Sequence, residues 1–544
     1  MLNRLADLLL GLPKAEGPAP VATKGLRIPM PDGVHLVADR YAPAGLRSGP
    51  VVLVRTPYGR SGPLAALFGS TFARQGLQTV VQSTRGTFGS EGEFRPFHLE
   101  REDGVATAEW LRAQPWCDGR LATAGASYLG HAQWALGPYL DPPLEAMALA
   151  VTASEFVTTF YPGGVLAADN MVSWSAMIGR QEERFAALPN PLQTRKTRGA
   201  MGHLPINAAD VAAIGKQVLF LSDVTTHAEP GDAYWAMSDH SAEVAGLTTP
   251  VSMVTGWYDL FISGQLRDFR TLQDAGRHPR ITIGPWAHGD PASLRVTVQD
   301  QIGFLRAHLL DDGTQLQRSP VRLYLQQAAT WLDFDAWPPA STPTDSHLRP
   351  AGGLGEAPGA QAGEARPSTF TYDPADPTPA VGGPLLMGKN RQQDNNVVEA
   401  RDDVLVFTGE PLIADLDVIG EVGATVYVRT ELGHADVYVR ICDVDPGGRS
   451  RNVTDGILRL RPGVPEADAD GIVAVAVPLD PTAYRFRRGH RLRVQVAGGA
   501  FPRFARNHGT GEPVASAVDG KPNRFEVFHD AAHPSRVTLP IFSR

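Results

Sequence analysis

The chain has 544 residues, a formal net charge of −8 and a pI of about 6. That length calls for two or three domains, and an acidic balance without a basic run argues against nucleic acid or an anionic membrane as partner. The two cysteines, Cys117 and Cys442, are too few and too distant for a disulfide framework, so thiols in a reducing compartment are expected.

The apolar stretch Met1 to Pro13 is short and broken by Arg4 and Asp7. It has no signal-peptide core with a small-residue cleavage site, and residues 2–10 are expected to form a helix packed on their own domain. No segment reaches the roughly 18 apolar residues that cross a bilayer. A cytoplasmic location follows as the expectation.

Val21 to Pro43 alternates and contains Pro31-Asp32-Gly33, which predicts an antiparallel hairpin. Val51 to Val54 is a short apolar run suited to a strand buried on both faces. Leu64 to Gln75 reads as helix and Leu77 to Val81 as strand. The glycine-rich loop Ser83 to Phe94 lacks the spacing of a phosphate-binding loop, so nucleotide binding is set aside; Arg85 is expected to anchor that loop through ion pairs or carbonyl contacts. Asp103 to Gln114 is a predicted helix with Val105, Ala108 and Leu111 on one face.

Arg120 to Thr123 then reads as a strand and Tyr128 to Leu136 as a helix, with Ala124-Gly125-Ala126-Ser127-Tyr128-Leu129-Gly130 between them. A serine among small residues at a strand-to-helix turn has the form of a nucleophile elbow. The last glycine stands one place later than in G-x-S-x-G, and a serine N-cap on a glycine-rich turn is the ordinary alternative. Ala146 to Val151 is another strand. The alternation predicts a parallel sheet covered on both faces.

Residues 152–246 break that pattern. Trp174, Met177, Ile178 and Phe185 suggest helices, with turns at Pro162-Gly163-Gly164 and Pro189-Asn190-Pro191, and the segment is read as a helical insertion over the active end of the sheet. The pattern resumes with strand Val251 to Thr255, running into Asp259, and strand Ile281 to Ile283, running into His288. Helices are predicted at Leu266 to Asp274 and Gln301 to Leu310. The expected division is therefore an α/β-hydrolase domain in two parts, 1–151 and 247–318, around the insertion 152–246.

After about residue 318 the chain turns β-rich, with strands predicted at Val321 to Gln326, Val404 to Phe407, Ala424 to Thr430, Val437 to Asp443, Gly471 to Val477 and His490 to Ala497. Many strands, turn signals and no helices suggest a β-sandwich or jelly roll over 319–544.

Ser127, Asp259 and His288 lie in the chain order of an α/β-hydrolase triad, each just past a predicted strand. Parallel strands deliver such residues to one crevice. Ser127 would be the nucleophile, His288 its base, and Asp259 the group that fixes the imidazole. Taken alone, the aspartate could be a turn residue and the histidine a surface or core group. His203, His227 and His240 are scattered, and His529 and His533 follow a predicted strand, so no metal and no cofactor are expected.

Gly125 to Gly130, Gly256 to Phe261 and Gly284 to His288 resemble the triad motifs of the CocE/NonD hydrolases, which take in cocaine esterases, α-amino acid ester hydrolases and X-Pro dipeptidyl peptidases. Thr56 to Arg60, Thr84 to Gly86, Ser90 to Phe94, Trp116 to Gly119, Tyr372 to Pro377, Arg401 to Leu405 and His533 to Ser535 carry the resemblance along the chain, most strongly toward the cocaine esterases. It implies an α/β-hydrolase domain, a helical insertion and a C-terminal jelly roll. It also implies a serine esterase acting on a small ester through an acyl-enzyme, with the Tyr58 hydroxyl and the Tyr128 amide as oxyanion hole. Its acyl pocket falls on Phe160, Trp174, Phe261 and Leu412, which hydrophobic core would explain equally well. The insertion is shorter than in cocaine esterases, Ser83 replaces an aspartate and Phe97 a histidine, so a cocaine-type substrate is not implied.

Two rivals stay open at this stage. An amino-acid ester hydrolase or X-Pro peptidase would need carboxylates for a substrate ammonium, and Glu155, Asp169, Glu182 and Glu183 lie in the insertion. A non-catalytic protein using the jelly roll to bind carbohydrate is the other. Whether the chain forms a homodimer is left open.

Overall fold

Val51 to Val54 sits in the middle of strand β3 (Gly49–Thr56), and every residue of that strand is buried. A strand covered on both faces needs parallel neighbours joined by crossover helices. In the computed structural model, which describes residues 7–14, 18–183, 186, 188, 190–359, 366–386 and 388–543, that is what surrounds it. β4 (Gln78–Ser83) and β5 (Cys117–Ala126) flank β3 in parallel, and β6 (Ala146–Ala150), β7 (Val251–Tyr258) and β8 (Arg280–Ala287) extend the sheet. The predicted hairpin, β1 (Val21–Pro29) with β2 (His35–Ala42), pairs antiparallel and joins the β4 edge.

The sheet does not stop where composition changes at residue 318. β9 (Val321–Leu325) pairs in parallel with β8, and β10 (Thr330–Phe334) closes the edge antiparallel to β9, making ten strands. Val321, Leu323 and Leu325 bury their alternating apolar side in the same core as Ile281 and Ile283.

Helices α1 (Glu100–Arg112), α2 (Tyr128–Trp134), α4 (Ile262–Asp274) and α5 (Pro291–Leu309) cross between the parallel strands, while α3 (Ala168–Ile178) belongs to the insertion. Ala108 and Leu111 of α1 are buried, as the spacing predicts. The helix expected over Leu64 to Gln75 is present but wide-wound, with a π-helical turn at Ala65–Thr71 between two short α segments. Arg85 anchors its loop, pairing with Asp103 at 2.6 Å and Asp32 at 2.7 Å.

The insertion is helical, and its α3 is buried almost throughout. Phe185 and Pro189 lie outside the described residues, as do 1–6 of the expected N-terminal helix. Of that stretch, Leu10 is buried and Asp7 pairs with Arg74 at 2.5 Å.

The rest of the chain builds an eleven-stranded antiparallel-rich sheet system. Alternation drives it: in Val473–Phe486 the inward residues Val475, Val477 and Leu479 are buried while their neighbours are not. Its strands are longer than predicted, up to 15 residues at Leu416–Thr430. Both cysteines are buried and unpaired. No helix of the described residues is long and apolar enough to cross a membrane.

Candidate active site

β5 ends at Ala126 and α2 begins at Tyr128. Ser127 between them has φ 57° and ψ −123°, a conformation that costs a non-glycine residue on the order of 1–3 kcal/mol. Hydrogen bonds hold it there. Its N–H donates to Ala150 O at 2.9 Å, and its carbonyl accepts from Thr152 Oγ1 at 2.9 Å and from the N–H groups of Gly130 and His131. A Cβ on Gly130 would lie 2.4 Å from Thr152 Cγ2. The late glycine of the motif therefore allows α2 to pack against the turn after β6.

His288 and Asp259 follow β8 and β7 directly. His288 Nε2 lies 3.1 Å from Ser127 Oγ, and Nδ1 lies 2.9 Å from Asp259 Oδ2. Asp259 is fully buried, and its Oδ1 accepts from Phe261 N–H at 2.9 Å. A carboxylate only accepts, so Nδ1 carries the proton and Nε2 offers its lone pair to the serine hydroxyl. Beyond His288, Asp290 caps α5 through Ala292 N–H and pairs with Arg391 from the β-rich domain.

Tyr58 and Tyr128 line the same pocket as Ser127 and His288. The Tyr128 N–H opens α2 and meets no acceptor among the described residues. The Tyr58 hydroxyl accepts from Trp174 Nε1 at 3.0 Å. Because an indole only donates, the hydroxyl keeps its own proton for another acceptor. Burial pushes the Tyr58 phenol up to about 12, so it remains a neutral donor. The Tyr128 ring is pinned by its own hydroxyl, which donates to Glu100 at 2.7 Å beside the Arg55–Glu100 pair.

These groups open onto a pocket walled by Phe97, Phe156, Phe160, Trp174, Phe261 and Leu386, with Thr159 and Asn170 as neutral polar members. Phe97 is the hub: its ring stacks on Tyr128 at 4.7 Å and on Trp174 at 5.4 Å, and meets Phe156 edge-on at 5.0 Å. No carboxylate is among the lining residues described.

A family model described as X-Pro dipeptidyl-peptidase (S15 family) matches residues 32–290, and one described as X-Pro dipeptidyl-peptidase C-terminal non-catalytic domain matches residues 315–538. The chain is 31% identical over 574 residues to cocaine esterase of Rhodococcus sp. (strain MB1 Bresler), covering 95% of this chain and 98% of that protein. The chain belongs to the CocE/NonD family of serine hydrolases. Two solved structures share the fold over 98% of both chains. One is an aminopeptidase from a marine-sediment Thaumarchaeota archaeon (TM-score 0.81, 24% identity), the other an α-amino acid ester hydrolase (TM-score 0.80, 22% identity).

Within this CocE/NonD hydrolase, Ser127, His288, Tyr58, Tyr128, Phe160, Trp174 and Phe261 line one pocket, and Asp259 lies buried behind His288. Leu412 does not, and that expectation is corrected. It packs on the core of the β-rich domain, with its backbone bonded to Gly489 and His490. Leu386 supplies the wall from that domain instead, its N–H held by the Asp169 carboxylate at 2.9 Å. The carboxylates of the insertion are engaged elsewhere: Glu155 with Arg267 and Thr158, Glu182 with the Phe88 N–H, and Glu183 with Arg180 and Lys216. Phe156, Asn170 and Met171 were not singled out from sequence, since a single residue in a helical insertion carries no sign of whether its face meets a ligand.

Proposed function

We propose that this hydrolase cleaves carboxylic esters of small, uncharged acyl groups through an acyl-enzyme on Ser127. The observation that carries the reading is the Ser127–His288–Asp259 hydrogen-bonded series opening on an aromatic pocket with no carboxylate among its described lining residues. His288 Nε2 takes the serine proton as Oγ attacks the acyl carbon, and returns it to the departing alcohol. Asp259 balances the imidazolium. The Tyr58 hydroxyl and the Tyr128 N–H donate to the tetrahedral oxyanion. Water, deprotonated by His288, then releases the acid. Phe160, Trp174 and Phe261 hold the acyl body with Phe97, and no carboxylate among the described lining residues is available to balance a substrate ammonium. We extend the proposal to a cytoplasmic location, which the two buried free thiols favour.

A chain-length series of p-nitrophenyl esters with burst kinetics tests the proposal. Wild type is expected to show a burst that Ser127→Ala abolishes, and to turn over a blocked acyl substrate faster than its free-amine counterpart. Wild-type turnover by Ser127→Ala would overturn the nucleophile assignment, and a preference for the free amine would overturn the substrate class.

A further inference from the structure

A second cavity lies at the opposite edge of the ten-stranded sheet. Ser252 near the start of β7, Arg280 at the start of β8 and Arg322 near the start of β9 line it, together with Asp300 of α5 and Arg318 of the connection into β9. Ser127, Asp259 and His288 follow the far ends of their strands. The two sites are therefore on the order of 20 Å apart, the rise of seven strand residues.

Charge is unbalanced there. Arg318 pairs with Asp300 at 2.5 Å, and Ser252 Oγ donates to the other oxygen of that carboxylate at 2.6 Å. Asp300 is thereby committed. Among the described residues Arg280 donates to the carbonyls of Leu316 and Arg318, at 2.7 and 3.1 Å. Arg322 lies over the Trp331 ring at 5.2 Å, and neither it nor Arg280 has an ion-pair partner among the described residues. Arg318 Nη1 is buried with no hydrogen-bond partner among the described residues. Three arginines thus line the cavity with Asp300 as the one carboxylate among its described lining residues, Asp333 standing opposite Arg322 across the β9–β10 pair, and burial together with the neighbouring Arg318 lowers the Arg280 pKa from its ordinary value. An oxyanion would satisfy the orphan donor and offset the repulsion.

The remaining wall is apolar: Val296 and Phe304 of α5, Leu316, and the Trp331 ring. We propose that this cavity is a second binding site, for a small organic anion bearing a carboxylate on an apolar body. The guanidinium groups of Arg280, Arg318 and Arg322 hold the carboxylate, and Trp331 with Phe304 covers the body. Inorganic phosphate shares the charge but leaves the apolar wall unfilled.

Calorimetric titration of benzoate and of inorganic phosphate into the full-length protein is the test. Saturable benzoate binding is expected, weakened about tenfold or more by Arg322→Gln and by Arg280→Gln, as loss of a charge-assisted contact requires. Ester hydrolysis in both variants should stay at the wild-type level, which also reports that they fold. Asp300→Asn removes the competing carboxylate and is expected to tighten benzoate, a gain that misfolding cannot mimic. Absence of saturable binding, or benzoate affinity indifferent to both arginine substitutions, would overturn the site. Phosphate binding as tightly as benzoate would overturn the assigned ligand class.

Discussion

Trp174 donates its indole N–H to the Tyr58 hydroxyl at 3.0 Å, so a pocket-wall residue of the insertion decides where the Tyr58 proton points. Removing that hydroxyl with Tyr58→Phe is expected to lower kcat by about 10²–10³, the usual loss for one oxyanion donor. Trp174→Phe should lower kcat less and raise KM as well, since the ring also lines the pocket. The decisive comparison is the double variant. In the Tyr58→Phe background, Trp174→Phe should cost no further kcat. Additive losses would mean that Trp174 acts on the substrate alone.

Phe97 occupies the centre of the aromatic wall, buried at φ 70° with its N–H donating to the Tyr128 hydroxyl at 3.1 Å. Phe97→Ala keeps the backbone bond and deletes the ring. A fully buried phenylalanine lost in this way costs about 3–5 kcal/mol, and the space vacated adjoins the acyl pocket. The variant is expected to melt several degrees lower and to shift its optimum in the p-nitrophenyl ester series toward longer acyl chains. An unchanged chain-length profile would remove Phe97 from the specificity wall.

What could be read from the sequence followed from local pattern. Val51 to Val54 announced a strand buried on both faces, and residues past strand ends announced the Ser127, Asp259 and His288 constellation. What escaped depended on distant contacts. Ser450–Leu460 reads as polar because Asp455 is buried against Arg440 and Arg503, a pairing that only the folded chain brings together. β9 looked like the start of the β-rich region because its short apolar run carries no mark of its partner, β8. Leu386 reaches the pocket from a loop of that region, where the family resemblance implied Leu412 instead.

Ser127 is held at φ 57° and ψ −123°, a region glycine enters without penalty. Ser127→Gly should therefore abolish hydrolysis yet stabilise the fold by about 1 kcal/mol, the strain released at the elbow. Ser127→Ala is inactive too but retains a Cβ, and should melt below the glycine variant. Thermal melts of the two variants and wild type at one pH check this. A glycine variant no more stable than the alanine one would show that the elbow stores no strain.

His131 and His240 sit behind the pocket with ring centroids 5.4 Å apart, both essentially inaccessible to solvent. His131 Nδ1 faces Ala153 O at 3.3 Å, His240 Nδ1 faces the Tyr139 hydroxyl at 2.9 Å, and neither Nε2 has a hydrogen-bond partner among the described residues. Burial pushes His131 down to about 3 and His240 down to about 4, with His240 adding to the first and Arg101 to the second. In the unfolded chain each titrates near 6.5. Between about pH 6.5 and 4 the unfolded state therefore takes up protons that the folded state refuses, and stability falls as the pH falls. Each histidine contributes up to about 1.4 kcal/mol per pH unit across that window, and the loss levels off below the folded-state values. His131→Gln removes one of the two proton sinks. Its melting temperature should drop less than that of wild type between pH 7.5 and 5, even if the variant starts lower at pH 7.5. Parallel losses in the two proteins would mean that acid sensitivity resides elsewhere.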